Sequence, residues 1–298
     1  MSKAYGERAA ELGLNGIILR VLVKGPRGSP DAIDALTFTE RPEFSSGKTA
    51  TSDEISPSKK VAVASATKLV NGLLILRLIE KGLLSFDDTL GGVLGVDGVL
   101  APCSVDQLCG CVGGINKFNP VVFSDKVTLS QAADVILGGD ADGALREPGT
   151  TFAYCGSQAH LVAAMCEART GKSWADLFEE HLKTPLTLTD GDLVYTTNPG
   201  ARIVTENPMI AGGLIISADE YSEVLKLVLN KGRLGNGEVL ISERLIDRLF
   251  RNHYTDAEVV SAPLEAFGYD YRYGFCSCEC HPSPVSANTC STTTLRLN

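Results

Sequence analysis

The sequence predicts an α+β protein, on three observations. A glycine-bounded, β-branched run lies near the N-terminus, an alternating run lies near the C-terminus, and the middle is dominated by amphipathic helical patterns. An antiparallel sheet made from both ends of the chain, with a helical lobe between, accommodates all three. Residues 1–298 are expected to form one domain, its sheet part taking about 10–64 and 200–298 and its helical lobe about 65–199. With 44% hydrophobic residues over 298 positions, a core of that size can be buried.

The elements follow in order. Gly16 to Gly25 reads as a strand running into a turn at Pro26-Arg27-Gly28, whereas Ser29 to Lys60, rich in Pro, Ser, Thr, Asp and Glu, reads as irregular chain or a weak surface hairpin. Val61 to Ala64 is a short apolar lead. Ser65 to Gly82 is the strongest helix, with Leu69, Leu73, Leu76 and Ile79 on one stripe widened by Val70, Leu74 and Ile75, and a Lys-Gly stop. Leu83 to Leu90 turns, and Val99 to Pro120, with three cysteines and several glycines, is expected to be a loop-rich excursion. Thr128 to Leu137, Ser157 to Thr170, Ser173 to Leu182, Asp219 to Lys231 and Ser242 to Arg251 are further helices, several with Ser or Asp at the cap. Tyr269 to Cys280 alternates as a strand does.

Composition excludes several functions. The net charge is −9 and no basic run exceeds Lys59-Lys60, which is incompatible with a phosphate-neutralising surface, so nucleic acid is not an expected partner. Every apolar run is interrupted well short of the roughly 20 residues a membrane helix needs. Met1 to Leu12 has no apolar segment of the secretory type, so the expected address is cytoplasmic.

Ser-x-x-Lys occurs three times, at Ser45 to Lys48, Ser56 to Lys59 and Ser65 to Lys68, and chance supplies about one such match in a chain of this size. Only the third opens a strong helix, where residues at i and i+3 share a face. A serine hydroxyl needs a base to become a nucleophile. A partly buried lysine can serve, because desolvation disfavours its ammonium form. From these residues alone, a helix-capping serine with a surface lysine is the favoured reading, capping being the commoner use of serine.

Longer segments carry a resemblance. VAVASATKLVNGLLILRLIEKGLLSFDDTL resembles the nucleophile helix of class C β-lactamases, D-alanyl-D-alanine carboxypeptidases and related serine esterases. EPGTTFAYCG, followed by SQAHLVAAMCEARTGKSWADLFEEHLKTPL, is similar to that family's Pro-Gly-Thr-x-Phe-x-Tyr segment and the helix after it. NPMIAGGLIISADEYSEVLKLVLN is similar to its Ala-Gly-Gly-Leu element, whose glycines (here Gly212 and Gly213) permit close backbone approach. The resemblance implies a β-lactamase/transpeptidase-like fold with Ser65 as nucleophile and with Lys68 and Tyr154 as proton carriers. It implies an acyl-enzyme formed from a small ester or amide, without metal or organic cofactor.

Three positions depart from the family pattern. The tyrosine is often followed by Ser-Asn, whose asparagine binds the substrate amide; Cys155 and Gly156 stand here, which favours esters. A Leu-Leu-x-His-x-Ser-Gly loop is replaced by QLCGCVGGI, so that corner is expected to be rebuilt around Cys109 and Cys111. A third motif, Lys-Thr-Gly or His-x-Gly, is not found after YRYGFCSCEC. The chain is therefore expected to be a truncated or alternatively ended member, with weakened activity and poor solubility, since one oxyanion donor is worth about 2.7–4 kcal/mol. The alternatives are a D-alanyl-peptide carboxypeptidase or β-lactamase, and a non-catalytic scaffold of the same fold.

Nine cysteines leave an odd thiol, and most are expected in the core. Cys276, Cys278, Cys280 and His281 do not have a zinc spacing, and a Cys280–Cys290 disulfide would require an oxidising compartment. His160 is expected at the surface or in packing, and Trp174 in the core.

Overall fold

A computed structural model describes residues 17–24, 33–40, 57–139, 145–188, 194–195, 205–249, 254 and 256–261. In chain order these form β1 (Ile17–Lys24), β2 (Ile33–Glu40), β3 (Val61–Ala62), α1 (Thr67–Glu80), α2 (Leu90–Leu94), α3 (Val105–Cys109), α4 (Leu129–Leu137), β4 (Thr151–Ala153), α5 (Gly156–Thr170), α6 (Trp174–Phe178), β5 (Val194–Tyr195), β6 (Leu214–Ile216), α7 (Ala218–Leu229), α8 (Glu243–Arg248) and β7 (Glu258–Ser261). The chain separates into two compact units, Met1–Val61 with Ile216–Val239, and Ala62–Ile215 with Leu240–Asn298. Among the described residues no helix is long and apolar enough to cross a membrane.

In the first unit β1 and β2 pair antiparallel from Ile17↔Glu40 to Lys24↔Ile33. The segment Ser29 to Lys60, expected to be irregular or a weak hairpin, thus contributes an eight-residue strand. α7 lies against β1. Its start is fixed by a capping box in which Ser217 Oγ accepts from Glu220 N–H at 3.1 Å and the Glu220 carboxylate accepts from Ser217 N–H at 3.0 Å. Lys60 Nζ pairs with that carboxylate at 3.2 Å, inside a buried setting that would otherwise penalise the charge.

In the second unit α1 is mostly buried, its apolar residues wrapping well over half the helix while Lys68, Arg77 and Glu80 reach its edges. Leu73, Leu74, Leu76 and Leu78 are all buried, and Ile79, expected on the stripe, is only half-buried. α5 is the other central element, with α2, α3, α4 and α6 packed on it. Capping boxes Ser104/Gln107 and Thr128/Gln131 start α3 and α4, and Ser173 caps α6. Within the loop-rich stretch Val99 to Pro120 lies the short helix α3. β5 and β6 are antiparallel, whereas β4 and β7 run parallel, Thr151 opposite Glu258. The expected strand Tyr269 to Cys280, the cysteines at 276, 278, 280 and 290, and His281 lie outside the described residues.

Candidate active site

Ser65 sits between β3 and α1, in a 3₁₀ turn at Ala64–Ala66 that feeds directly into the helix. Ala64, the residue before it, has φ +45, a conformation that costs a residue with a Cβ about 1 kcal/mol or more. The cap of α1 is Ala66 and no side chain bonds there, so Ser65 is not used as a cap. Its exposed side chain is approached from two sides. Tyr154 Oη donates to Ser65 Oγ at 2.7 Å, and Lys68 Nζ, one turn along α1, donates at 3.3 Å. The Lys68 ammonium also stands 4.5 Å from the centroid of the Tyr154 ring. The three sequence-predicted residues therefore converge on one oxygen.

Three side chains of α1 grip the turn before β6. Lys68 Nζ donates to the Ala211 carbonyl at 2.7 Å, Asn71 Nδ2 to the Ile210 carbonyl at 2.6 Å, and Thr67 Oγ1 accepts from Leu214 N–H at 3.1 Å. The turn closes on itself through Gly213 N–H to the Met209 carbonyl at 2.7 Å. At Gly212 an added Cβ would come within 3.0 Å of Met209 Cε and in ordinary contact, 3.5 Å, with the Ala64 carbonyl carbon. On the other side Asn207 Nδ2 donates to the carbonyls of Val121 and Ser124, at 3.0 and 2.9 Å.

Tyr154 is placed by the junction of β4 and α5, and the chain from Cys109 to Asn119 wraps that junction. Gln158, fully buried on α5, accepts from Gly113 N–H at 2.8 Å and donates to the carbonyls of Ala153 and Ile115, at 3.0 and 3.2 Å. Cys111, with φ +55, offers its carbonyl to Ala153 N–H at 2.9 Å. Behind Cys111 and Phe152 lies Tyr254, whose hydroxyl donates to Asp106 Oδ2 at 2.6 Å while Arg248 pairs with the same carboxylate. Burial and that carboxylate hold the Tyr254 phenol well above its usual range. Gly110 has no room for a side chain, because a Cβ there would come within 2.8 Å of the Tyr254 ring. The rebuilt corner does contain Cys111, but Gln158 and Tyr254 hold it together.

Cys109, Cys111 and Cys155 line a small cavity of about 40 Å³ beside Lys68 and Asn71. Burial pushes the Cys111 thiol up to about 11, although the Lys68 ammonium acts in the opposite sense, so this thiol is not a nucleophile in waiting. The five described cysteines, at 103, 109, 111, 155 and 166, are buried and free. His160 is buried in packing, not at the surface, and burial lowers its imidazole to about 4. Trp174 is in the core. Among the described residues no group of three or more His, Cys, Asp or Glu side chains is arranged to hold a metal ion.

Asn71 and Gln158 were not singled out in the sequence. A signal existed for Asn71, a lone amide six positions after Ser65 inside the apolar stretch Leu69–Leu76, whereas the Ala211 carbonyl carries none because every residue has one.

A family model described as Beta-lactamase matches residues 44–278. Solved structures of the same fold include a candidate β-lactamase of Bacteroides dorei DSM 17855, 24% identical with TM-score 0.70, over 92% of this chain and 77% of that one. A penicillin-binding protein homologue of Pyrococcus abyssi, an octamer, is 19% identical with TM-score 0.61, over 92% of this chain and 63% of that one. EstCE1, a hydrolase with promiscuous acyltransferase activity, is 15% identical with TM-score 0.63, over 92% and 81%. The chain thus spans less than two thirds of the Pyrococcus protein. These likenesses bear out the β-lactamase/transpeptidase-like α+β fold.

Proposed function

Because this chain belongs to the Beta-lactamase family, we propose that it is a serine hydrolase acting on small esters, with Ser65 as nucleophile and Lys68 and Tyr154 as its proton carriers. The observation that carries the proposal is the convergence of Tyr154 Oη and Lys68 Nζ on Ser65 Oγ, at 2.7 and 3.3 Å. In the reacting form Tyr154 has given its proton to solvent and is held as the phenolate beside the Lys68 ammonium. Ser65 Oγ attacks the ester carbonyl as its proton passes to that phenolate, the Ser65–Tyr154 contact then having donor and acceptor exchanged. The tetrahedral oxyanion forms beside the N-terminal end of α1, whose dipole favours negative charge. Collapse expels the alcohol, which takes the proton back from Tyr154 and leaves an acyl-Ser65. Water, deprotonated by the same pair, then attacks the acyl carbon and releases the acid and the free serine.

Esters are preferred over amides because Gly156 offers no side chain to bind a substrate amide. Hydrolysis of 4-nitrophenyl butyrate by the chain and by Ser65→Ala, with intact mass after fluorophosphonate treatment, tests the proposal. Turnover and a one-to-one adduct, both lost in the variant, support it. Equal background from the two proteins and no adduct would sink it in favour of a non-catalytic scaffold. Faster turnover of nitrocefin than of the ester would replace the ester by a β-lactam.

A further inference from the structure

Phe118 and Phe123 are exposed by 48% and 44%, yet their rings touch, with centroids 5.1 Å apart at 48°. Neither ring is loosely hung. The backbone on both sides of Phe118 is clamped to the start of α5, Cys155 Sγ to the Lys117 carbonyl at 3.1 Å and Asn119 N–H to Ser157 Oγ at 3.0 Å. Phe123 ends a 3₁₀ turn, Pro120–Phe123, that is opened by Asn119 Oδ1 accepting from Val121 N–H at 3.0 Å and anchored by buried Val122. The Val121 carbonyl is in turn held by Asn207.

This apolar pair faces, across Gly156, the turn that holds Lys68. A Cβ added to Gly156 would lie 3.5 Å from Phe118 Cε2 and 3.2 Å from Ala211 Cβ, so the bare glycine occupies the gap between the ring and the residue whose carbonyl holds Lys68. Single exposed aromatics are ordinary, but a paired set one glycine away from the turn that holds Lys68 offers an apolar substrate group somewhere to leave water.

Building on the serine hydrolase reading, we infer that Phe118 and Phe123 determine specificity, selecting esters that carry an aryl or long alkyl group over those with only small groups. The apolar part of the substrate lies along the two rings and over Gly156, while its carbonyl reaches Ser65.

The test compares kcat/KM in two series, 4-nitrophenyl phenylacetate against 4-nitrophenyl acetate, and benzyl acetate against ethyl acetate, for the chain, Phe118→Ala and Phe123→Ala. The ratio of large to small substrate in one series or both is expected to fall about tenfold or more in Phe118→Ala, chiefly through KM, and to fall in Phe123→Ala as well. Ratios cancel any general loss of activity. Unchanged ratios in both series, with the fluorophosphonate adduct on Ser65 still forming, would overturn the inference and leave the hydrolase reading intact. Absence of the adduct from the unaltered chain would overturn both.

Discussion

Lys68 Nζ and the Ala211 carbonyl oxygen, on residues 143 positions apart, meet at 2.7 Å. One ammonium group therefore serves two purposes, since it also reaches Ser65 Oγ: it holds the turn before β6 and stands beside the nucleophile. Replacement by methionine keeps the length and removes the charge. Lys68→Met and Tyr154→Phe are each expected to lower kcat by about 10²–10⁴. The double variant should be little worse than the poorer single one, because groups acting as a unit are not additive. Steady-state kinetics on 4-nitrophenyl butyrate provide the check.

Asn71 is the structural partner of that lysine. Its amide satisfies the Ile210 carbonyl deep in the core, and Asn71→Leu leaves a buried acceptor unmet, at a cost of about 1–3 kcal/mol. A lowered urea midpoint, with slower fluorophosphonate labelling of Ser65, is the expected result; an unchanged midpoint would show that the carbonyl finds another donor.

Two glycines separate backbone strain from collision. Gly82 has φ +69 with nothing within 4 Å of an added Cβ, so Gly82→Ala should cost only about 1–2 kcal/mol. Gly114 has φ +82, and its Cβ would fall 2.2 Å from the Arg146 carbonyl oxygen. Gly114→Ala must therefore displace backbone, and should be the more destabilising of the two in parallel thermal melts.

His160 makes stability depend on pH. Burial lowers its imidazole from 6.5 to about 4, and the nearby Gly156 carbonyl and Asn207 side chain offset this only in part. The folded protein keeps it neutral while the unfolded chain binds a proton near 6.5, so stability is complete above that value. It declines as pH falls, levelling near 4 after a loss of about 3 kcal/mol. Urea titrations at pH 7.5 and 4.5 should show that slope, and His160→Gln should flatten it.

Locally encoded features were the legible ones. Thr128 and Ser173 stand at the starts of their helices and cap them, because a cap is a relation between residues three apart. By contrast, α7 is capped at Ser217, two residues before the expected Asp219, and Ser242 makes no side-chain cap bond. α3 was missed although Ser104 and Gln107 carry the same signal, because the cysteines and glycines around them drew the reading toward loop. β2 was missed because Ile33–Glu40 has only a weak alternation, and its strand character comes from pairing with β1. The parallel pairing of β4 with β7 joins positions about a hundred apart and leaves no trace in either segment. In the candidate site Ser65 and Lys68 could be placed by helical spacing, whereas Tyr154 came only from likeness to a family. Gln158 satisfies three backbone groups from a position that no pattern marks.

The bond from Tyr254 to Asp106 spans 148 positions, and that span sets a schedule for biosynthesis. A ribosome adding about 5–20 residues per second takes roughly 7–30 s to cover such a distance. Through that interval the emerging chain already holds Ser65 and Lys68, and gains Tyr154 about a third of the way along, but the surface of Gly110 and Cys111 waits for the ring that will cover it. Nascent chains are therefore uncovered at this corner for seconds.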